Sequence, residues 1–122
     1  MCGIAIVAGA SASQRVCLDA MLAAQRHRGP DAESVETYPH VGFAHGRLAI
    51  IDLSPAGHQP MCSDDERYWI TFNGEVFNFA ELRQELEVAG ARFRGHSDTE
   101  IILAAFERWG IEASVKRFVG MV

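Results

Sequence analysis

The chain has 122 residues, of which 48% are hydrophobic and 22% are charged, a composition typical of one modest soluble domain. Its formal net charge of -5 and its scattered basic residues disfavour binding to nucleic acid or to an anionic membrane surface. Three cysteines without paired spacing argue against a secreted disulfide framework and predict a cytoplasmic protein. No apolar run approaches the roughly 20 residues that a membrane-spanning helix needs.

The first predicted elements are a strand and a helix. The strand, Gly3 to Val7, is short, apolar and partly β-branched. Ser13 is a candidate N-cap for the helix, which is predicted to end before Gly29-Pro30, where continuation is forbidden. Helical spacing predicts a buried face formed by Cys17, Leu18, Met21 and Leu22.

The middle of the chain predicts strands joined by loops. Val41 and Phe43 alternate with small residues, and Leu48 to Ile51 is a second apolar run, so both are expected to form neighbouring strands. Two prolines and a glycine make Ser54 to Pro60 a loop. After a polar turn, Tyr68 to Phe72 is predicted to be a strand.

Two further helices have recognisable starts. Asn78 precedes Glu81 by three positions, which resembles a reciprocal cap, and Gly90 is the predicted stop. Ser97 and Glu100 match the capping box more closely, and Gly110 is the stop of that helix. Its predicted buried face comprises Ile101, Ile102, Ala105, Phe106 and Trp109. Phe118 to Val122 is predicted to open another strand, and this indicates that the chain is part of a longer polypeptide.

Cys2 carries the strongest chemical signal. Removal of Met1 would leave one residue with both a thiol and an α-amine. The amine has an ordinary pKa of about 7.7–8.0, so it can accept the thiol proton near neutral pH without a histidine. A cysteine at position 2 is weak evidence alone, and Cys17 and Cys62 are interpreted as structural.

Several motifs accompany Cys2 in a fixed order. They are Met1-Cys2-Gly3-Ile4, Arg26-His27-Arg28-Gly29-Pro30-Asp31, the segment Arg47 to Met61, Phe72-Asn73-Gly74-Glu75 and Ser97-Asp98-Thr99-Glu100. This set resembles the N-terminal glutaminase domain of glutamine-hydrolysing asparagine synthetases, a class II amidotransferase of the N-terminal-nucleophile type. The resemblance implies an α+β fold, a four-layer αββα sandwich with two antiparallel sheets. It also implies that residues 1–122 are this domain, incomplete at its C-terminus, with the synthetase domain absent.

The resemblance assigns roles residue by residue. Cys2 is the implied nucleophile, and the Asn73 side chain and the Gly74 backbone N–H are the implied oxyanion donors. The residues implied to bind glutamine are Arg47 for its α-carboxylate, Glu75 and Asp98 for its α-ammonium, and the backbone near Leu48 and Ile50.

Each assigned residue also has a simpler interpretation. Arg47 is a candidate solvated cation at a strand end, Asn73-Gly74 a candidate type I′ hairpin turn, and Asp98 a candidate first-turn acid that favours the helix dipole. Arg28 and Asp31 are interpreted as loop-structuring residues.

Other features bear on the family and on metals. The five histidines lack ligand spacing with the cysteines, so no zinc site is expected. The sequence departs from the family at Gly46, where an arginine is usual, and at Phe77 and Phe79, which are often tyrosines.

Three hypotheses follow from the resemblance. The chain is the glutaminase half of an asparagine synthetase, or the same glutaminase serving another acceptor, or a non-catalytic fragment. The first implies glutamine and the synthetase domain of the same polypeptide as partners. It also implies no cofactor in this chain, with ATP and Mg confined to the synthetase domain. A homodimer stays open.

Overall fold

The computed structural model describes residues 1–9 and 14–122, so the predicted cap at Ser13 lies outside the described residues. The strands are β1 (Gly3–Ala8), β2 (Ala32–Thr37), β3 (Val41–Arg47), β4 (Met61–Cys62), β5 (Trp69–Ile70), β6 (Glu75–Val76) and β7 (Gly120–Met121). The helices are α1 (Gln14–Ala24), α2 (Phe79–Val88), α3 (Asp98–Trp109) and α4 (Ile111–Val115), with a 3-10 turn at Pro55–Gly57. No helix among the described residues is long and apolar enough to cross a membrane.

The chain divides into two compact units that exchange segments along the sequence. The first unit, called the N-unit, contains Met1–Ala49, His58–Pro60 and Thr71–Asn73. The second, called the C-unit, contains Ile50–Gly57, Met61–Ile70 and Gly74–Val122.

The N-unit is a three-stranded antiparallel sheet in the order β1-β3-β2, with α1 packed on one face. Gly3 lies opposite Gly46, and Ala32 lies opposite Arg47, so β3 is the central strand. Leu18 and Leu22 of α1 pack in one core with Ala5 and Ala44 of the sheet. The predicted strands at Gly3 and Val41 and the predicted first helix are confirmed.

The predicted buried face of α1 is only half right. Leu18 and Leu22 are buried, whereas Cys17 and Met21 are exposed. Gln14, Leu18 and Leu22 are spaced four residues apart and form one narrow row. That row fills the space above the small alanines of the sheet, so residues one position away face outwards. The structural interpretation of Cys17 is therefore wrong.

The predicted strand from Leu48 to Ile51 does not form, because its backbone donors are used elsewhere. The N–H of Ala49 donates to Asp31 Oδ2 at 2.8 Å, and the N–H of Leu48 points to the Cys2 sulfur. The predicted strand from Tyr68 to Phe72 is shortened to β5, since the N–H of Phe72 donates to the side chain of Gln59.

The C-unit contains α2, α3 and α4 and two short antiparallel ladders, β4-β5 and β6-β7. The predicted starts and stops of α2 and α3 are confirmed, and Gly90 and Gly110 both have positive φ, at 99° and 78°. The predicted opening strand at the end of the chain forms as β7. The buried apolar side chains are Val76, Leu82, Leu86, Ile101, Ile102, Leu103 and Ala105.

The two predicted capping boxes differ in outcome. Ser97 accepts a hydrogen bond from Glu100 N at 3.3 Å, as predicted, but the Glu100 carboxylate accepts from Arg94 and Gly95 instead of returning to Ser97. The Asn78 side chain makes no cap hydrogen bond. It accepts from Val119 N at 2.9 Å and donates to Arg117 O at 3.0 Å, so it holds the segment before β7 instead.

Strand β2 and helix α4 were not predicted. The sequence of β2 is mostly polar, and its strand conformation comes from pairing with β3 along the whole length of β2. Helix α4 has only five residues, too short for a periodic pattern. The predicted α+β class with antiparallel sheets is confirmed, and these elements are compatible with the expected N-terminal-nucleophile sandwich.

Candidate active site

Cys2 lies directly before β1 and is held at three of its atoms. Its backbone N donates to Asn73 Oδ1 at 2.8 Å, although the two residues are 71 positions apart. Leu48 N donates to the Cys2 sulfur at 3.4 Å, and the thiol lies 3.7 Å from Leu48 O. Arg28 Nε donates to the Cys2 carbonyl at 3.1 Å. The structure therefore brings together the predicted nucleophile, Asn73 and the backbone of Leu48.

The motif from Arg26 to Asp31 supports the surroundings of Cys2. Asp31 N donates to Arg47 O at 3.0 Å, and its carboxylate accepts from Ala49 N, so Asp31 structures the loop that follows β3, as predicted. The contact of Arg28 with Cys2 was not predicted. A pairing over 26 positions leaves no local spacing signal in the sequence.

Arg47 is the last residue of β3, and only 7% of it is exposed. The interpretation of Arg47 as a solvated cation is therefore wrong. A guanidinium withdrawn from water is stable only when charged or polar partners compensate for its lost hydration. Burial of this kind is typical of an arginine that has a specific task.

Asn73-Gly74 is not a hairpin turn. The flanking strands β5 and β6 do not pair with each other, since β5 pairs with β4 and β6 pairs with β7. The chain leaves the N-unit after Asn73 and enters the C-unit at Gly74. The interpretation of this dipeptide as a type I′ turn is therefore wrong.

The remaining predicted residues belong to the C-unit. Asp98 begins α3, is only 6% exposed, and its Oδ2 accepts from Val76 N at 3.0 Å. Asp98 thus joins the start of α3 to β6, which also contains the half-buried Glu75. Asp98 does more than favour the helix dipole. Ile50 also belongs to this unit and is 71% exposed.

His45 is the one histidine of β3, and it is buried in the N-unit. Burial, partly offset by a hydrogen bond to the backbone of Phe72, lowers the pKa of His45 from 6.5 to about 4, so its imidazole is neutral at pH 7. Within the described ranges, no group of three or more His, Cys, Asp or Glu side chains is arranged to hold a metal ion.

Comparison with known proteins identifies the family of this chain. A family model described as a glutamine amidotransferase domain matches residues 1–122. This chain is 49% identical to asparagine synthetase [glutamine-hydrolyzing] 1 of Bacillus subtilis over 90 residues, which are 74% of the chain. It is 37% identical over 115 residues to asparagine synthetase [glutamine-hydrolyzing] 1 of Arabidopsis thaliana, and 37% identical over 124 residues to asparagine synthetase [glutamine-hydrolyzing] of Triphysaria versicolor.

The alignments cover most of this chain and a small part of each relative. They include 92% and 99% of this chain for the two plant proteins. The chain spans 14% of the length of the Bacillus protein, and 19% and 20% of the lengths of the plant proteins. Because the family model matches every residue, this chain belongs to the glutamine amidotransferase domain family.

Proposed function

We propose that this domain hydrolyses glutamine to glutamate and ammonia, with Cys2 as the nucleophile. The observation that carries the proposal is the 2.8 Å hydrogen bond from Cys2 N to Asn73 Oδ1, because it joins the candidate nucleophile to the candidate oxyanion donor. Met1 is 68% exposed, so it is accessible for removal. After removal, the nitrogen that now contacts Asn73 becomes the α-amine of Cys2.

The proposed reaction needs only groups that this chain contains, together with water. The α-amine of Cys2 takes the thiol proton, and the sulfur attacks the side-chain carbonyl carbon of glutamine. The tetrahedral intermediate expels ammonia as the amine returns the proton to the leaving nitrogen, which leaves a glutamyl thioester. Water then attacks the thioester, glutamate departs, and the thiol is restored.

The orientation of Asn73 supports its role as an oxyanion donor. Its Oδ1 faces the nitrogen of Cys2, so its Nδ2, which carries the two N–H groups, is at the opposite end of the carboxamide. The backbone N–H of Gly74 is the second proposed donor. Neutral donors stabilise a charge that develops only during the reaction, and loss of one such donor typically costs about 100-fold to 1,000-fold in kcat.

The proposed recognition of glutamine uses charges of both signs. Free glutamine is a zwitterion, and buried Arg47 offers a planar cation that suits a carboxylate. Asp98 and Glu75 supply carboxylates for the α-ammonium group, and the backbone of Leu48 and Ile50 contributes further contacts.

We propose aspartate as the ammonia acceptor, amidated by an ATP-dependent synthetase domain of the same polypeptide, where ATP and Mg would bind. The names of the Bacillus and plant relatives support this proposal, since each is called a glutamine-hydrolysing asparagine synthetase.

Intact-mass measurement after treatment with a diazoketone analogue of glutamine tests the nucleophile. We expect a protein that lacks Met1 and carries one adduct, because the analogue alkylates the activated thiol. Cys2→Ala should abolish both the adduct and glutamate release. Cys17→Ala is the matched control, since Cys17 is an exposed thiol on α1 and should leave both unchanged. An adduct that persists in Cys2→Ala would contradict the assignment.

A further inference from the structure

Phe72 immediately precedes Asn73, and its backbone N–H and C=O lie outside the paired strands. Residues 71–73 belong to no strand. Buried backbone groups outside a ladder need other partners, and the choice of partner decides where the chain runs. The N–H of Phe72 donates to Gln59 Oε1 at 2.6 Å, the shorter end of the range for such a bond.

Gln59 is itself firmly attached to the sheet of the N-unit. Only 8% of it is exposed, and its backbone carbonyl accepts a hydrogen bond from Ser34 Oγ of β2. The Ser34 hydroxyl also lies 3.5 Å from His45 O of β3, the strand that pairs with β2. Gln59 therefore links the position of Phe72 to a rigid part of the same unit.

His45 contacts the same short segment. It is 1% exposed, and its imidazole hydrogen-bonds to the backbone of Phe72. Its Nε2 has no hydrogen-bond partner. Two buried neutral side chains thus hold the residue next to Asn73.

We propose that Gln59 is a positioning residue for glutamine hydrolysis, acting through Phe72 on the Asn73 carboxamide, with His45 as its partner. This inference rests on the proposed function. It assigns a role to Gln59 of the segment Gly57 to Pro60, a residue that the proposed chemistry does not otherwise use. If Phe72 shifts, Asn73 moves with it, and the 2.8 Å bond from Cys2 N to Asn73 Oδ1 is lost or misdirected.

The test compares Gln59→Asn, Gln59→Glu and Gln14→Asn in the glutaminase reaction. Gln59→Asn shortens the side chain and withdraws the acceptor from Phe72, whereas Gln59→Glu keeps an acceptor oxygen at the same reach. Gln14→Asn is the matched control, because Gln14 is the other buried glutamine of the N-unit and its carboxamide donates to Gly9 O. Amide hydrogen exchange at Phe72 provides a readout independent of activity.

We expect Gln59→Asn to lower kcat by roughly 10-fold to 100-fold, because a small misplacement of Asn73 disturbs the geometry of the reacting groups, with KM changed less than about twofold. Gln59→Glu should recover most of kcat, and Gln14→Asn should keep it. Exchange at Phe72 should accelerate in Gln59→Asn while the amides of β1 and β3 stay protected.

Two results would overturn the inference while leaving the proposed function intact. One is a wild-type protein that hydrolyses glutamine and a Gln59→Asn variant whose kcat matches that of Gln14→Asn. The other is a Gln59→Asn variant that loses kcat and in which the amides of β1 also lose their protection from hydrogen exchange. That result would show a general structural role for Gln59. A wild-type protein without glutaminase activity and without the Cys2 adduct would instead refute the proposed function.

Discussion

The two compact units bury polar side chains of different kinds. In the N-unit these are Gln14, His45 and Gln59, which are neutral, together with Arg47. The C-unit buries the hydroxyl side chains of Ser63, Ser97, Thr99 and Ser114, and in addition two carboxylates, Asp52 and Asp98, each of which accepts a hydrogen bond from backbone N–H. Neutral groups suit the reacting end of an amide, whereas fixed carboxylates suit a permanent cation. The N-unit therefore contains the proposed nucleophile Cys2 and its neighbour Asn73, whereas the C-unit contains the carboxylates proposed to bind the ammonium group of the substrate.

Of the substitutions that test this difference between the units, Asp98→Asn is expected to have the largest effect. The asparagine keeps an oxygen that accepts from Val76 N, so α3 should stay attached to β6. It removes the negative charge proposed to bind the ammonium group. We expect KM for glutamine to rise on the order of 100-fold to 1,000-fold, with a smaller change in kcat, as steady-state kinetics would show.

Ser97→Ala is the matched control for Asp98→Asn. It removes the hydrogen bond from Glu100 N that caps the same helix, which should cost about 1 kcal/mol of stability and leave KM near the wild-type value. If Ser97→Ala raises KM as much as Asp98→Asn, the charge of Asp98 is not the cause.

Much of the fold was predictable because its signals are local. The Ser97 cap and the glycine stops depend on a few neighbouring residues, and the structure has α2 and α3 where they were predicted. Of the predicted buried face of α3, Ile101, Ile102 and Ala105 are buried, whereas Phe106 and Trp109 are only half-buried. The two wrongly predicted strands involve partners that are distant along the chain. Leu48 and Ala49 look like a strand until Cys2 and Asp31 take their backbone donors.

The contacts within the candidate site likewise have no signal in the local sequence. Nothing local to Asn73 indicates that it meets Cys2, and nothing local to Arg47 indicates its burial. The resemblance to a family supplied those assignments, since an ordered set of motifs contains information on distant contacts that spacing alone lacks. The Gln59 contact was missed because its motif had no assigned chemistry.

Acid should weaken the two units in different pH windows. The pKa of His45 is lowered to about 4, so between pH 6.5 and about 4 the unfolded chain binds a proton that the folded chain does not. Stability therefore falls as the pH decreases through that window, by about 3 kcal/mol. Hydrogen bonds from Ser54 and His96 lower the pKa of Asp52 from 3.8 to about 2, so its contribution is lost only below about pH 4.

His45→Asn isolates the first of these contributions. Asparagine keeps an N–H donor but does not titrate, so the fall in unfolding free energy between pH 6.5 and 4 should be shallower in the variant. Denaturant unfolding at several pH values measures this slope. Equal slopes in both proteins would show that His45 does not control the acid sensitivity of the N-unit.

The smallest expected effect concerns how closely the N-unit packs beside Arg47. A Cβ at Gly29 would lie 2.0 Å from Gly46 O and 2.1 Å from Gly46 C, and backbone atoms cannot yield as a flexible side chain does. Gly29→Ala should therefore shift β3 and cost about 1–3 kcal/mol in thermal unfolding. Gly46→Ala is the matched control, since the nearest atom to its Cβ would be a Leu22 methyl at 3.3 Å, and the nearest backbone atom would be Gly29 O at 3.6 Å, an ordinary contact. Since Gly46 directly precedes Arg47, Gly29→Ala should also raise KM for glutamine, whereas Gly46→Ala should not. A Gly29→Ala protein as stable as Gly46→Ala would mean that the chain around residue 29 relaxes without disturbing β3.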